Sequence, residues 1–308
     1  MKCFSCELDL PIQTTNGYHE ICAKKLFGVS WTPQIRFASD RIATEAQKLI
    51  GKMSISGVQP KLSVKLNKAD KILEVVASGG SHILKPSPEQ FVHLAENENM
   101  CMNLARELSI EIPPHGLLPL ADGKLAYIVK RFDRSSVGEK PKLHVEDFAQ
   151  ILEKSNKYNG SIEQIGDAIK KFSTIPFIDT QKLFTRVLFN FLIGNGDAHL
   201  KNFSMIRYSQ EGYKLSLAYD IVSSRLVMPN EADETALSIN GKKNKITPND
   251  FEALAKNLEI GDKQYSRILD MGRLLDNFFD DYLHKSFLPE ELKWRFSDIF
   301  NKRYERLY

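Results

Sequence analysis

Residues 194–204 read Gly-Asn-Gly-Asp-Ala-His-Leu-Lys-Asn-Phe-Ser, and the fold follows from how this stretch is understood. Asp197 and Asn202 are spaced as D-x-x-x-x-N, and a further acid, Asp220, comes after Leu-Ala-Tyr. Phosphoryl transfer asks for such a set. One carboxylate orients the attacking hydroxyl, while an amide oxygen and a second carboxylate hold Mg²⁺ against the phosphates. The plain alternative is that Asp197 and Asn202 are turn residues, favoured there for their local hydrogen bonds. The surroundings weigh against it. Leu183, Phe184, Val187, Leu188, Phe191 and Leu192 recur at helical spacing, so a buried helix is expected over residues 180–193, capped by Thr180 and stopped by Gly194. Strand-like segments at 203–208 and 213–219 flank Ser-Gln-Glu-Gly, a hairpin turn that leads to Tyr219 and Asp220. His199 and Lys201 lie inside the loop, where a cation could steady the transferred phosphoryl group.

Toward the N-terminus the periodicity changes. Ile42, Ala46 and Ile50 share a helical face over residues 39–50, which Ser39 or Asp40 could cap. From residue 54 onward Leu62, Val64 and Leu66 alternate with polar residues, and strand-like runs at 72–76, 82–85 and 125–132 predict a twisted antiparallel sheet. Between them residues 94–109 read as a helix with Leu94, Met100, Leu104 and Leu108 on a stripe, ended by Pro113-Pro114. The C-terminal third is helical and charged. The expected architecture is α+β and two-lobed, like a protein kinase. It comprises a small Cys/His unit (1–30), a sheet-rich N-terminal lobe (31–134) and a helical C-terminal lobe (135–308).

Composition narrows the function classes. The chain has 308 residues, enough for a large core, and a net charge of only +3, which gives no case for direct nucleic-acid binding. No apolar run reaches the roughly 20 residues of a membrane span, so no membrane partner is expected. Met-Lys-Cys-Phe-Ser-Cys is no secretory signal, and four cysteines without one argue for a reducing, cytoplasmic setting. Export into another cell by a machine that needs no signal stays open.

If ATP is bound, other residues acquire roles. Lys85, ending Ile-Leu-Lys, is the natural phosphate-binding lysine, and Glu98 on the following helix is its expected ion-pair partner, with Glu96 as the rival. Out of context Lys85 would be an edge lysine beside a proline. Lys130, Arg131 and Phe132 stand where a hinge between lobes belongs; backbone groups there would meet the adenine, and Phe132 would supply apolar contact or simply core. The loop Ser-Ile-Ser-Gly-Val-Gln-Pro-Lys (54–61) takes the phosphate-loop position with Ser56, Gly57, Val58, Gln59 and Lys61, although one glycine makes no glycine-loop signature. A phosphate on Ser54 or Ser56 would add roughly −1.5 to −2 charge beside the nucleotide phosphates, a built-in off switch. Otherwise these are two turn-forming serines.

Cys3, Cys6, His19 and Cys22 form C-x₂-C-x₁₂-H-x₂-C. Two knuckle ligands and two on a second turn suit tetrahedral Zn²⁺, and so short a unit could hardly fold without a staple. A decayed zinc site, with thiols packed against the adjoining lobe, explains the same spacing, and redox-active thiols rank below both.

Taken together, Ser-Ile-Ser-Gly-Val-Gln-Pro-Lys (54–61), Ile-Leu-Lys-Pro (83–86), Glu-Asn-Glu (96–98), Lys-Arg-Phe-Asp-Arg (130–134), Glu-Asp-Phe-Ala-Gln (146–150), Gly-Asp-Ala-His-Leu-Lys-Asn-Phe-Ser (196–204) and Ala-Tyr-Asp (218–220) resemble, in order, the HipA family of serine/threonine protein kinases, the toxins of bacterial toxin–antitoxin systems. The resemblance covers about residues 50 to 240. It implies ATP- and Mg²⁺-dependent phosphorylation of a protein serine, with Asp197 catalytic and autophosphorylation at Ser54 or Ser56. Aminoacyl-tRNA synthetases are among the family's targets, and translation stops when they are inactivated. The chain starts too near its serine loop to hold the N-terminal subdomain of long HipA proteins. It therefore looks like the short HipT-type branch, in which that subdomain is a separate small antitoxin and a DNA-binding antitoxin is a third partner. Two other readings compete: a small-molecule phosphotransferase, which would share the Asp-x₄-Asn loop, and a non-catalytic partner-binding module with a decayed kinase fold.

Overall fold

Alternating burial in the first strand shows why the sheet forms. Leu62 and Val64 turn inward while Ser63 and Lys65 turn away, the period-2 pattern of a one-sided core. The computed structural model describes residues 1–12, 17–42, 59–134, 142–208 and 212–308. The expected helix over 39–50 lies mostly outside these. Within them Ser39–Arg41 is a single 3₁₀ turn, and the Ser39 hydroxyl donates to Asp122 (2.5 Å). The chain forms two compact units. One comprises Met1–Asn103, Pro113–Phe132 and His284–Leu288, the other Leu104–Ile112, Asp133–Leu283 and Pro289–Tyr308.

The first unit holds α1 (Glu20–Phe27) and the strands β1 (Leu62–Asn67), β2 (Ile72–Val75), β3 (His82–Pro86), β4 (His115–Pro119) and β5 (Leu125–Lys130). Among the described residues they make a five-stranded antiparallel sheet in the order β2-β1-β3-β5-β4. Register sets Lys85 opposite Tyr127 and His82 opposite Lys130. The β1–β2 turn is an Asx turn, in which the Asn67 side-chain oxygen accepts from the backbone N–H groups of Ala69 and Asp70. Leu62, Val64, Leu84 and Ile128 share one core with Cys3, Tyr18, Leu26 and Phe27, so the N-terminal segment is built into the same unit as the sheet.

Helix α2 (Leu94–Glu107) departs from the expected single stripe. Residues 95–105 are all buried, Asn97, Glu98, Asn99 and Asn103 among them. Buried polar side chains persist only with hydrogen-bond partners. Asn99 and Asn103 bond to Glu7 Oε1 (2.9 Å) and the Ser5 carbonyl (2.8 Å).

The second unit contains β6 (His144–Asp147), α3 (Phe148–Ile151), α4 (Ile162–Phe172), α5 (Pro176–Leu192), β7 (Ser204–Arg207), β8 (Tyr213–Leu215), α6 (Ser224–Val227), α7 (Pro248–Asn257), α8 (Asp262–Lys285) and α9 (Glu290–Leu307). The three strands pair antiparallel in the order β6-β7-β8. Capping boxes at Asp147/Gln150, Ser161/Gln164 and Thr247/Asp250 start α3, α4 and α7. Helix α5 is the centre of this core. Leu183, Phe184, Leu188, Phe191 and Leu192 are almost wholly buried, each contributing roughly 1.5–3 kcal/mol by leaving water. It starts at Pro176, earlier than expected, because proline at the first position is pre-set for a helix; Thr180 is an interior residue. Strand β8 is shorter than the expected 213–219: beyond Ser216 the chain leaves the ladder, and the Ala218 N–H donates to the Glu111 carbonyl (2.8 Å). No described helix is long and apolar enough to cross a membrane.

Candidate active site

The loop after α5 is shaped by its glycines. Gly194 lies in the left-handed region (φ +73), and a Cβ there would meet Ile299 Cγ2 at 2.7 Å. Gly196 is needed for close approach, since a Cβ would come within 2.5 Å of Glu231 Oε2. Asn195 then holds the turn. Its amide nitrogen donates to Asn190 Oδ1 (3.0 Å), and its oxygen accepts the Asp197 N–H (3.2 Å). Ser224 supports the other side, with Oγ accepting from Gly196 N (2.8 Å) and donating to Glu231 Oε2 (2.7 Å).

Asp197 is thereby half-buried with one oxygen engaged: the Tyr158 hydroxyl donates to Oδ1 at 2.7 Å. Burial first, and the Asp197 carboxylate next, hold the Tyr158 phenol well above its ordinary pKa, so it stays a proton donor. The Tyr158 ring meets His199 edge-on, centroids 5.3 Å apart. Burial raises the Glu231 carboxyl pKa, and nearby Asp197 adds to the effect against Ser224 and Arg225.

A short 3₁₀ turn, Leu200–Asn202, carries the next residues. Asn202 Oδ1 accepts the His199 backbone N–H (3.1 Å). That N–H can only donate, so the amide atom facing Asp220 is Nδ2, 3.4 Å from Asp220 Oδ2. Asp220 is a non-glycine residue at φ +56, a costly conformation of the kind found at functional sites. Tyr219 is fastened below, its hydroxyl bonded to Ser204 Oγ and the Lys201 carbonyl.

His199 differs from the expectation of a loop cation. It is buried, and desolvation pushes its pKa below the ordinary 6.5, with Lys157 adding and the Asp197 carboxylate opposing. A neutral imidazole is the result, and Lys201, whose side chain is exposed, is the loop's cation.

In the first unit, Lys85 and Glu98 form a buried ion pair (Nζ–Oε1 2.6 Å), and the ammonium also lies 5.3 Å from the centre of the Tyr127 ring. The rival Glu96 is taken up by His93 Nδ1 (3.0 Å). A buried charge is tolerated only when paired, so this geometry gives Lys85 one defined position. Gln59 is tied to the Pro86 carbonyl (3.1 Å), next to Lys85. Lys61 opens into β1 with an exposed side chain. The Lys130 ammonium is directed at the Lys25 carbonyl (3.4 Å), and the Arg131 N–H at the Ser81 carbonyl (2.9 Å); Arg131 and Phe132 are half-buried. Ser54, Ser56, Gly57 and Val58 lie outside the described residues.

The donor atoms match a hard cation. Asp220 offers carboxylate oxygens, and Asn202 Oδ1 keeps a second lone pair after accepting from His199. Cys3, Cys6, His19 and Cys22 converge as a separate cluster in the first unit. Sequence reasoning missed Tyr158, Ser224 and Glu231, which come to the loop from other elements and carry no local motif.

Residues 53–277 match the family described as HipA-like C-terminal domain. A Haemophilus influenzae protein named "Putative kinase" is 34% identical over 224 residues, covering 68% of this chain and 63% of that protein. The serine/threonine-protein kinase toxin HipA of Shewanella oneidensis is 31% identical over 191 residues, covering 56% of this chain and 43% of the toxin. This chain thus spans less than two thirds of either relative. Among solved structures, HipA of Shewanella oneidensis MR-1, in a complex with HipB and operator DNA, superposes with a TM-score of 0.70 at 21% identity, covering 97% of this chain and 80% of that one.

Proposed function

The chain belongs to the HipA-like C-terminal domain family, and from that premise we propose an ATP- and Mg²⁺-dependent protein serine/threonine kinase that acts as a toxin. The observation that carries the reading is the Asp197 loop. Its carboxylate already accepts a hydroxyl donor at 2.7 Å, and Asn202 Nδ2 donates to Asp220 Oδ2 (3.4 Å), which sets the Asn202 amide beside the Asp220 carboxylate although the two are 18 residues apart in sequence. The Tyr158 phenol stands in for the acceptor serine hydroxyl. Asp197 Oδ1 would orient that hydroxyl and take its proton as the oxygen bonds to the γ-phosphorus of ATP and the bond to the β,γ-bridging oxygen breaks, releasing ADP. Asn202 and Asp220 would hold Mg²⁺, which supplies charge neutralisation at the phosphate oxygens when bound. Lys85, fixed by Glu98, is the phosphate-binding cation, and Lys201 is a second one, free to turn toward the transferred group. His199 keeps the loop closed through its backbone and packs as a neutral ring.

Tyr219 props the loop beneath the metal ligands. Gln59, Lys61 and residues 130–132 are assigned to the nucleotide, and Ser54 or Ser56 to autophosphorylation that regulates it. The HipA–HipB–operator complex of the structural neighbour supports a DNA-binding antitoxin as partner. An aminoacyl-tRNA synthetase is the substrate class that the family suggests.

Incubation with γ-labelled ATP and Mg²⁺ tests the proposal. The purified protein should label itself or a protein acceptor, and Asp197→Ala should lose about 10²–10⁴-fold of that rate. Label passing only to small acceptors would turn the reading to a small-molecule phosphotransferase. A melting temperature indifferent to ATP and Mg²⁺, with no turnover, would leave a non-catalytic binding module.

A further inference from the structure

We propose that Cys3, Cys6, His19 and Cys22 bind one structural Zn²⁺, and that this ion fastens the N-terminal segment to the strand and helix bearing Lys85 and Glu98. The metal claim stands apart from the kinase reading. The four ligand atoms all lie within 4.8 Å of one another. Tetrahedral zinc with sulfur at about 2.3 Å needs sulfur–sulfur edges of about 3.8 Å, so small side-chain rotations close the cage. Cys6 Sγ and His19 Nδ1 already stand 3.3 Å apart.

Each ligand is presented by a device that suits a metal. Cys3 and Cys6 sit on a tight knuckle, in which the Glu7 N–H reaches the Cys3 carbonyl (2.9 Å) and the Cys3 N–H the Leu8 carbonyl (2.8 Å). Glu7 leaves the knuckle in the left-handed conformation, φ +61. His19 is the N-cap of α1 and Cys22 lies in its first turn, so one helix start presents both. The Asp9 carbonyl can only accept, so His19 Nε2 bears the proton in that 3.0 Å bond, which leaves Nδ1, on the Cys6 side, as the atom to ligate a metal. Such an outer hydrogen bond fixes the tautomer that a metal needs. The His19 backbone N–H points at Cys3 Sγ (3.4 Å), where it would stabilise a thiolate. Cys3, Cys6 and Cys22 form no disulfide.

Three thiolates and one imidazole fill four positions and leave none for a reactant, the mark of a structural site. Binding releases the three thiol protons to solvent and leaves a site of net charge −1.

What the ion would hold follows from the residues between its ligands. Phe4 accepts the Leu117 N–H of β4 (2.8 Å), and Ser5 Oγ donates to the His115 carbonyl (2.7 Å). The Ser5 carbonyl receives Asn103 and the Glu7 carboxylate receives Asn99, both on α2, and Asn99 directly follows Glu98. From the other end of the segment, the Leu26 carbonyl accepts from His82 Nε2 (2.8 Å) on β3, three residues before Lys85. Gly116 permits this close seat, since a Cβ there would meet the Tyr18 hydroxyl at 2.6 Å and the Phe4 carbonyl at 3.1 Å. Losing the ion frees a knuckle whose hydrogen bonds hold α2, which bears Glu98, and loosens the start of α1, whose far end reaches β3, which bears Lys85, through Leu26.

The full chain, purified under reducing conditions without added chelator, should carry about one zinc per molecule by elemental analysis, as one closed four-ligand site requires. Cys101→Ser, outside the cluster, should keep it; Cys6→Ser with Cys22→Ser should lose it. Stripping with a thiol-competing chelator should lower the melting temperature, and Zn²⁺ but not Mg²⁺ should restore it. Co²⁺ added to the stripped protein should give the intense visible bands of tetrahedral thiolate cobalt. No zinc as isolated, together with no cobalt bands, overturns the proposal even if the double variant fails to fold. Retained zinc in a folded double variant overturns the ligand assignment. Zinc present but with the melting temperature unmoved by its removal overturns the fastening role. The metal content is read without ATP, so a protein that binds zinc and not nucleotide would sink the kinase reading alone.

Discussion

Tyr158 donates to Asp197 Oδ1, the oxygen to which the proposed mechanism assigns the acceptor hydroxyl. It is 40% exposed and rests on the loop through its ring contact with His199, so it can leave without disturbing the core. Tyr158→Phe keeps that contact and removes the competing donor. The expected result is a kcat/KM for the protein acceptor raised about two- to tenfold, the worth of one net hydrogen bond. A fall in kcat with KM unchanged would instead make the phenol a positioning group for Asp197. The two ends of this bond differ in how visible they were. Asp197 stands in a motif whose spacing encodes the loop, whereas Tyr158 lies 39 residues upstream and reaches it only through tertiary folding. Glu98 could be told from Glu96 only in the structure. Both fit the spacing, and the difference is that His93, at φ +66 before the helix, has taken Glu96.

At the scale of elements, α5 and its stop were legible because a long apolar period and a glycine act locally. The Gly194 N–H returns to the Phe191 carbonyl (3.1 Å) and the Asn195 N–H to the Asn190 carbonyl (2.8 Å), closing the helix before the chain turns to Asp197. Gly194→Ala should therefore cost about 1–2 kcal/mol of left-handed strain, plus whatever the Ile299 contact adds. Gly241→Ala, at φ +75 with open space around it, carries the strain alone. Denaturant titration should rank Gly194→Ala as the more destabilising of the two, and equal losses would show that Ile299 gives way freely. Helix α2 was legible in place but not in character. Its asparagines look like a solvated face, and nothing local says that Asn99 and Asn103 have partners more than 90 residues away in the N-terminal knuckle. Strand β8 was overestimated for a similar reason, since its end is set by the distant Glu111 carbonyl.

For the molecule as a whole, each unit contains a buried histidine whose charging opposes the fold. Burial lowers the His82 pKa, aided by the Lys130 charge and opposed by its bond to the Leu26 carbonyl, and burial likewise lowers that of His199. The unfolded chain, with histidines near the ordinary 6.5, binds these protons first. Stability is then fully present above pH 6.5 and is lost as pH falls through the lower native values. Glu231 acts in the opposite sense. Its carboxyl is raised above the ordinary 4.5, so acid relieves a cost present at neutral pH, and the relief begins as pH falls through its raised native value. The melting temperature should fall on acidification from pH 7.5 to 5.5, a range that brackets the ordinary histidine value. His82→Gln and His199→Gln should each flatten that slope, whatever they do to stability at pH 7.5. An undiminished slope in both variants would place the titrating group elsewhere.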